Sequence, residues 1–143
     1  MAAISRATAV WSGDLTTGKG RVKPASGAFN ELPVTWASRA ESQAGKTSPE
    51  ELLAAAHAAC FCMAFSNGLS KAGHTVEELN ATAEVEFIPG TGITSSKITV
   101  RGRVGGIDDD EFQKLAEAAK EGCPVSKALS GNVDLKLDAR LGS

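Results

Sequence analysis

Thr47-Ser48-Pro49-Glu50-Glu51-Leu52-Leu53-Ala54-Ala55-Ala56-His57-Ala58-Ala59-Cys60-Phe61-Cys62-Met63-Ala64-Phe65 begins like a helix and then stays apolar on almost every face. Ser48 with Glu51 three residues later fits a capping box, and Pro49 suits the first helical position, where its missing N–H has no partner to lose. The helix is expected to continue to Lys71 or Ala72, with Gly73 as its stop. A helix tolerates apolar residues all round only when protein surrounds it, so this is read as a central buried helix. The run from Leu52 to Phe65 is rich in Ala, interrupted by His57 and shorter than the roughly 20 apolar residues that span a bilayer, which argues against a membrane role.

Upstream, Arg6 to Trp11, Lys19 to Pro24 and Pro33 to Ala40 read as three short strands of a meander, divided by Ser12-Gly13-Asp14, Gly18, Gly20 and Ser26-Gly27. Downstream, Thr82 to Phe87 and Lys97 to Val104 alternate with period two and flank Pro89-Gly90-Thr91-Gly92, a hairpin signature. Asp108-Asp109-Asp110 puts acid at the start of a second helix with Phe112, Leu115, Ala116 and Ala119 on its apolar face and Gly122 at its end. Cys123 to Leu129 allows a short helical turn, and Val133, Leu135 and Leu137 alternate as a last strand. The order βββ-α-ββ-α-β predicts an α+β domain with two main helices packed on antiparallel sheet.

With 143 residues, the chain is the size of one domain, so residues 1–143 are read as a single unit. Lys and Arg number 15 against 17 Asp and Glu, with the signs interspersed, so no nucleic-acid or anionic-membrane footprint appears. The N-terminal Met1-Ala2-Ala3-Ile4-Ser5-Arg6 has no apolar core of a secretion signal, which makes the cytoplasm the expected compartment. Three cysteines, an odd number in a chain with a good core, speak against a structural disulfide framework and leave redox or packing roles open.

Free Cys ordinarily packs as a small hydrophobe, so Cys60 inside a buried helix proves nothing by position. A redox role needs a cation to favour the thiolate and a second thiol to capture a sulfenic acid. Cys123, at the irregular junction between Gly122 and Pro124, is a plausible second thiol, with packing as its ordinary alternative. Cys62 points nearly opposite Cys60 around the helix and reads as packing. His57 shares a face with Cys60 but reads as a core histidine holding a hydrogen bond; with one other His and no finger spacing, no metal is expected. Gly13, Gly18 and Gly20 sit between strands and form no nucleotide loop, so no cofactor is expected, and no nucleophile-elbow motif occurs.

Thr47 to Phe61, together with Gly122-Cys123-Pro124-Val125-Ser126 some sixty residues on, Trp11-Ser12-Gly13-Asp14 and Gly18-Lys19-Gly20, closely resembles the OsmC/Ohr family of osmotically inducible protein C and organic hydroperoxide resistance proteins. Ala-His-Ala-Ala-Cys at 56–60, and an Arg late in the third strand, look more like the OsmC branch. The resemblance implies an intertwined homodimer with its long central helices wrapped by sheet. It also implies a two-cysteine peroxidase that reduces hydroperoxides, organic ones preferred over hydrogen peroxide. By motif match Cys60 is the peroxidatic and Cys123 the resolving cysteine, closing a disulfide, with Glu50 and Arg39 as the family's Glu and Arg near the reactive sulfur. The family's reductant is often dihydrolipoamide, free or on lipoyl proteins.

A guanidinium stabilises a thiolate, and a carboxylate can hold that guanidinium by a bidentate pair. Ten residues of helix separate Glu50 from Cys60 by about 15 Å, so one straight helix cannot bring both to one site. Glu50, and with it Arg39, is therefore expected to come from the opposite subunit. The competing readings are a non-enzymatic redox sensor or carrier of a small apolar ligand, and a stress-induced structural dimer with inert thiols.

Overall fold

The computed structural model describes residues 2–142, which fall into two compact units, Met1–Pro49 and Glu50–Ser143. In the first, β1 (Ala7–Ser12), β2 (Lys19–Pro24) and β3 (Leu32–Val34) make an antiparallel sheet in that order, followed by a short helix α1 (Trp36–Ala40). The β1–β2 turn is set by Asp14, whose Oδ1 accepts from the Thr17 backbone N–H at 2.8 Å and its hydroxyl at 2.6 Å. Trp11 pairs with Gly20, where a Cβ would lie 2.6 Å from the indole, so the glycine makes room for the ring.

Pro33 to Ala40 does not form the expected third strand: β3 ends at Val34 and α1 begins two residues later. Thr35 caps that helix by accepting from the Ser38 N–H at 3.0 Å, while Ser38 Oγ accepts from the Thr35 N–H at 2.9 Å. This reciprocal box satisfies two donors that a helix start leaves orphaned.

The second unit carries α2 (Pro49–Lys71), β4 (Thr75–Ile88), β5 (Gly92–Gly105), α3 (Asp109–Gly122), α4 (Pro124–Leu129) and β6 (Asp134–Leu141). The long helix has the expected limits. Its end is a Schellman motif: Gly73 at φ +90 lets its own N–H reach Ser70 O and the His74 N–H reach Leu69 O, both at 3.0 Å. β4 and β5 form the expected hairpin, each strand starting several residues earlier than the alternation indicates and ending one residue later. Asp108 caps α3 through the Glu111 N–H. β6 joins β5 in parallel, unlike the other pairs. The chain leaves β5 and returns through α3 and α4, a crossover long enough to bring a strand back in the same direction.

One stripe of α2, His57-Phe61-Phe65-Leu69 at intervals of four, is buried against Ile98 and Val100 of β5, Phe112, Ala116 and Ala119 of α3, and Ala139 of β6. Phe65 lies between Phe61 and Phe112, with ring centroids at 5.5 and 5.1 Å. Each fully buried Phe contributes about 1.5–3 kcal/mol. Other faces of α2 remain open, and Met63 is 73% exposed. By length and composition this helix would pass as a membrane span, although most of its apolar window is not buried within the chain.

Candidate active site

Cys60 follows His57 by three residues, so α2 aims both toward the side where α3 gives way to α4. Cys123 stands at that junction: its N–H closes α3 on Ala119 O, and its sulfur, 3.3 Å from the Ser126 N–H, caps α4. Pro124 opens the short helix without losing a hydrogen bond. The Ser126 hydroxyl lies 3.3 Å from Cys123 Sγ. The Cys60 and Cys123 thiols lie close enough that each acts on the other's ionisation, and the Val125 N–H acts on both.

The two sulfurs are not equivalent. Burial pushes the Cys60 thiol up, and the neighbouring Cys123 adds to the rise against the Val125 N–H. Burial also opposes ionisation of Cys123, yet the Ser126 hydroxyl and N–H, then Cys60 and Val125, outweigh it and bring that thiol below its ordinary range. Access runs the other way: Cys123 is fully buried, whereas Cys60 is half-buried and can meet a ligand. Cys62 sits elsewhere on the helix, and burial raises its thiol.

His57 is fully buried behind the pair, with Nε2 2.8 Å from Ser126 Oγ and Nδ1 2.6 Å from Ser96 Oγ. Burial lowers its pKa, so the ring is neutral at neutral pH. Ser96 and Ser126 have no assigned role in the sequence reading. A signal for Ser96 existed: it shares the inward face of β5 with Ile98, Val100 and Gly102, and a polar residue on a core face requires a buried partner.

The structure thus brings together Cys60, Cys123, His57, Ser126 and Ser96. Glu50 is buried in the first turn of α2, ten positions from Cys60 and about 15 Å along the axis. Arg39 belongs to the first unit, half-buried in the last turn of α1 rather than on a strand. There Ser38 anchors the helix through its Oγ, which donates to Thr47 O at 2.9 Å. Among the described residues, no three His, Cys, Asp or Glu side chains are grouped as metal ligands.

Comparison with known proteins gives the chain that carries this thiol pair a family. Residues 42–138 match the family described as OsmC-like protein. Peroxiredoxin OsmC of Escherichia coli is 41% identical over 128 residues, covering 87% of this chain and 89% of that protein. Organic hydroperoxide resistance protein OhrB of Bacillus subtilis is 33% identical over 108 residues, covering 70% and 74%. The crystal structure of an organic hydroperoxide resistance protein OsmC from Legionella pneumophila superposes with a TM-score of 0.71 at 28% identity, covering 97% of this chain and 99% of that one. The chain belongs to the OsmC family, with the mixed α+β fold of its OsmC and Ohr relatives.

Proposed function

We propose that this protein is a thiol-dependent hydroperoxide reductase in which Cys60 attacks the peroxide and Cys123 resolves the product. The observation that carries this reading is the proximity of the Cys60 and Cys123 thiols, each acting on the other's ionisation, with the more accessible sulfur on α2 and the other fully buried. The names of the relatives, peroxiredoxin and organic hydroperoxide resistance protein, support the same substrate class.

Cys60 thiolate attacks the oxygen distal to the organic group. The O–O bond breaks, Cys60 becomes a sulfenic acid, and the alkoxide takes a proton and leaves as alcohol. Cys123 then displaces hydroxide from the Cys60 sulfur, giving the disulfide and water. A dithiol such as dihydrolipoamide, free or on a lipoyl protein, reduces that disulfide and is itself oxidised to a cyclic disulfide.

The first step needs the Cys60 sulfur as thiolate. Burial and the neighbouring Cys123 both raise the Cys60 thiol, so a nearby cation is needed to favour its thiolate. We assign that role to Arg39, held by Glu50, both from the opposite subunit of a homodimer. The reach along α2 from Glu50 to Cys60 requires a second copy if the carboxylate is to serve the sulfur. Apolar side chains left open on α2, Met63 foremost, supply the surface for such pairing.

The test is consumption of an organic hydroperoxide by purified protein with excess dihydrolipoamide. Wild type should turn over many times, Cys60→Ser not at all, and Cys123→Ser should stall after one oxidation. Absence of turnover in wild type with any dithiol would replace this reading with that of a sensor or carrier.

A further inference from the structure

Cys123 is fully buried, yet to resolve a sulfenic acid it must give up a proton. The side chain of Cys123 has no surface open to bulk solvent. The side chains that surround the sulfur form a continuous path: Cys123 Sγ to Ser126 Oγ at 3.3 Å, Ser126 Oγ to His57 Nε2 at 2.8 Å, and His57 Nδ1 to Ser96 Oγ at 2.6 Å. All four side chains are fully buried.

We propose that His57 accepts the Cys123 proton through the Ser126 hydroxyl when the disulfide closes, a role that rests on the two-thiol reading above. One arrangement of protons satisfies every group before the step: the thiol donates to Ser126 Oγ, the Ser126 hydroxyl donates to Nε2, and Nδ1–H donates to Ser96 Oγ. A histidine that merely filled the core would need only any two partners. Here one of its partners ends on the resolving sulfur, and the other can accept Nδ1–H in the tautomer that leaves Nε2 free to accept.

In the step itself the thiol proton passes to Ser126 Oγ as the Ser126 proton passes to Nε2. The resulting thiolate keeps the Ser126 N–H and gains its O–H as donors. It attacks the Cys60 sulfur; the S–S bond forms, the S–O bond breaks and hydroxide leaves. Cys123 is oxidised and the sulfenic sulfur reduced. One proton turns the hydroxide into water and the imidazolium gives one back to solvent, so the sum is sulfenic acid plus thiol to disulfide plus water. His57 is a positioning residue by this account, acting on the sulfur through Ser126. Cys60 is the titratable group acting on Cys123 and burial alone perturbs His57. Of the nearby lysines, Lys97 and Lys127 are exposed and Lys120 is held by Glu117 at 2.6 Å.

The experiment is a single turnover with one equivalent of cumene hydroperoxide, following Cys60 sulfenate by dimedone trapping and the disulfide by mass. Wild type should close without accumulating sulfenate. His57→Gln can still bond both serines but cannot take a proton, so closure at pH 7 should slow by roughly a hundredfold and sulfenate should accumulate. Raising the pH should restore its closure by about tenfold per unit, hydroxide replacing the ring, a recovery that a packing defect would not show. Ser126→Ala should behave like His57→Gln, and Ser126→Thr, which keeps the hydroxyl, should close faster than Ser126→Ala. Wild-type closure in His57→Gln, or a deficit that pH does not repair, would overturn the relay while leaving the two-thiol reading intact. Absence of sulfenate on wild-type Cys60 would overturn both.

Discussion

Burial lowers the pKa of His57, so the folded chain resists a proton that the unfolded chain, with an imidazole near its ordinary value of 6.5, accepts. A depressed folded-state pKa gives stability that is fully present above pH 6.5 and is lost as pH falls below it. One such group can steepen the stability curve by no more than about 1.4 kcal/mol per pH unit. Urea unfolding of wild type between pH 8 and 5 should therefore show a slope below pH 6.5 that His57→Gln lacks; equal slopes would mean that the ring takes its proton in the folded state. At this scale the sequence was partly legible. His57 as a hydrogen-bonded core residue and the two cysteines as candidates could be read from helix spacing and motif. Ser126 could not be given a role, because its partner His57 lies 69 positions away, and no local pattern encodes a contact of that range.

Among the elements, those with strong local punctuation were read closely. α2 has Pro49 at its start and Gly73 after its end, and β2 has its expected limits of Lys19 and Pro24. The third strand was misread because Thr35 and Trp36 favour extended backbone, while the signal that stops the strand is a capping box with Ser38 in place of the usual Glu. The direction of β6 was not in its alternation either; it follows from the crossover through α3 and α4. The misread segment matters because α1 carries Arg39. This five-residue helix is too short to persist on propensity, and Ser38 supports it twice, by the box with Thr35 and by its bond to Thr47 O. Ser38→Ala should therefore loosen Arg39 and slow the oxidation of Cys60 by about tenfold, with about 1 kcal/mol lost from stability. Stopped-flow oxidation of Cys60 compared with an Arg39→Ala protein checks the link: if Arg39→Ala is slow and Ser38→Ala is not, the helix does not position the guanidinium.

At the scale of the whole molecule, the apolar surface of α2 exceeds what its own unit covers. The buried stripe takes one residue in four, and Met63 stands open at 73% exposure on a helix whose composition is close to that of a membrane span. In the proposed homodimer a second copy of the chain covers this surface and supplies the Glu50 that serves the Cys60 of its partner. Association and chemistry are then one property. Met63→Lys places a charge on the open face without touching the core stripe, so the fold of each chain should survive while pairing weakens. Sedimentation of wild type should give twice the 14.7 kDa of one chain, and Met63→Lys should shift toward the monomer at micromolar concentration. Its peroxide reduction should fall in step with the loss of dimer and recover as protein concentration rises. A monomeric Met63→Lys protein with wild-type activity would mean that each chain completes its own site, and that the cation for Cys60 has to be sought within the same subunit.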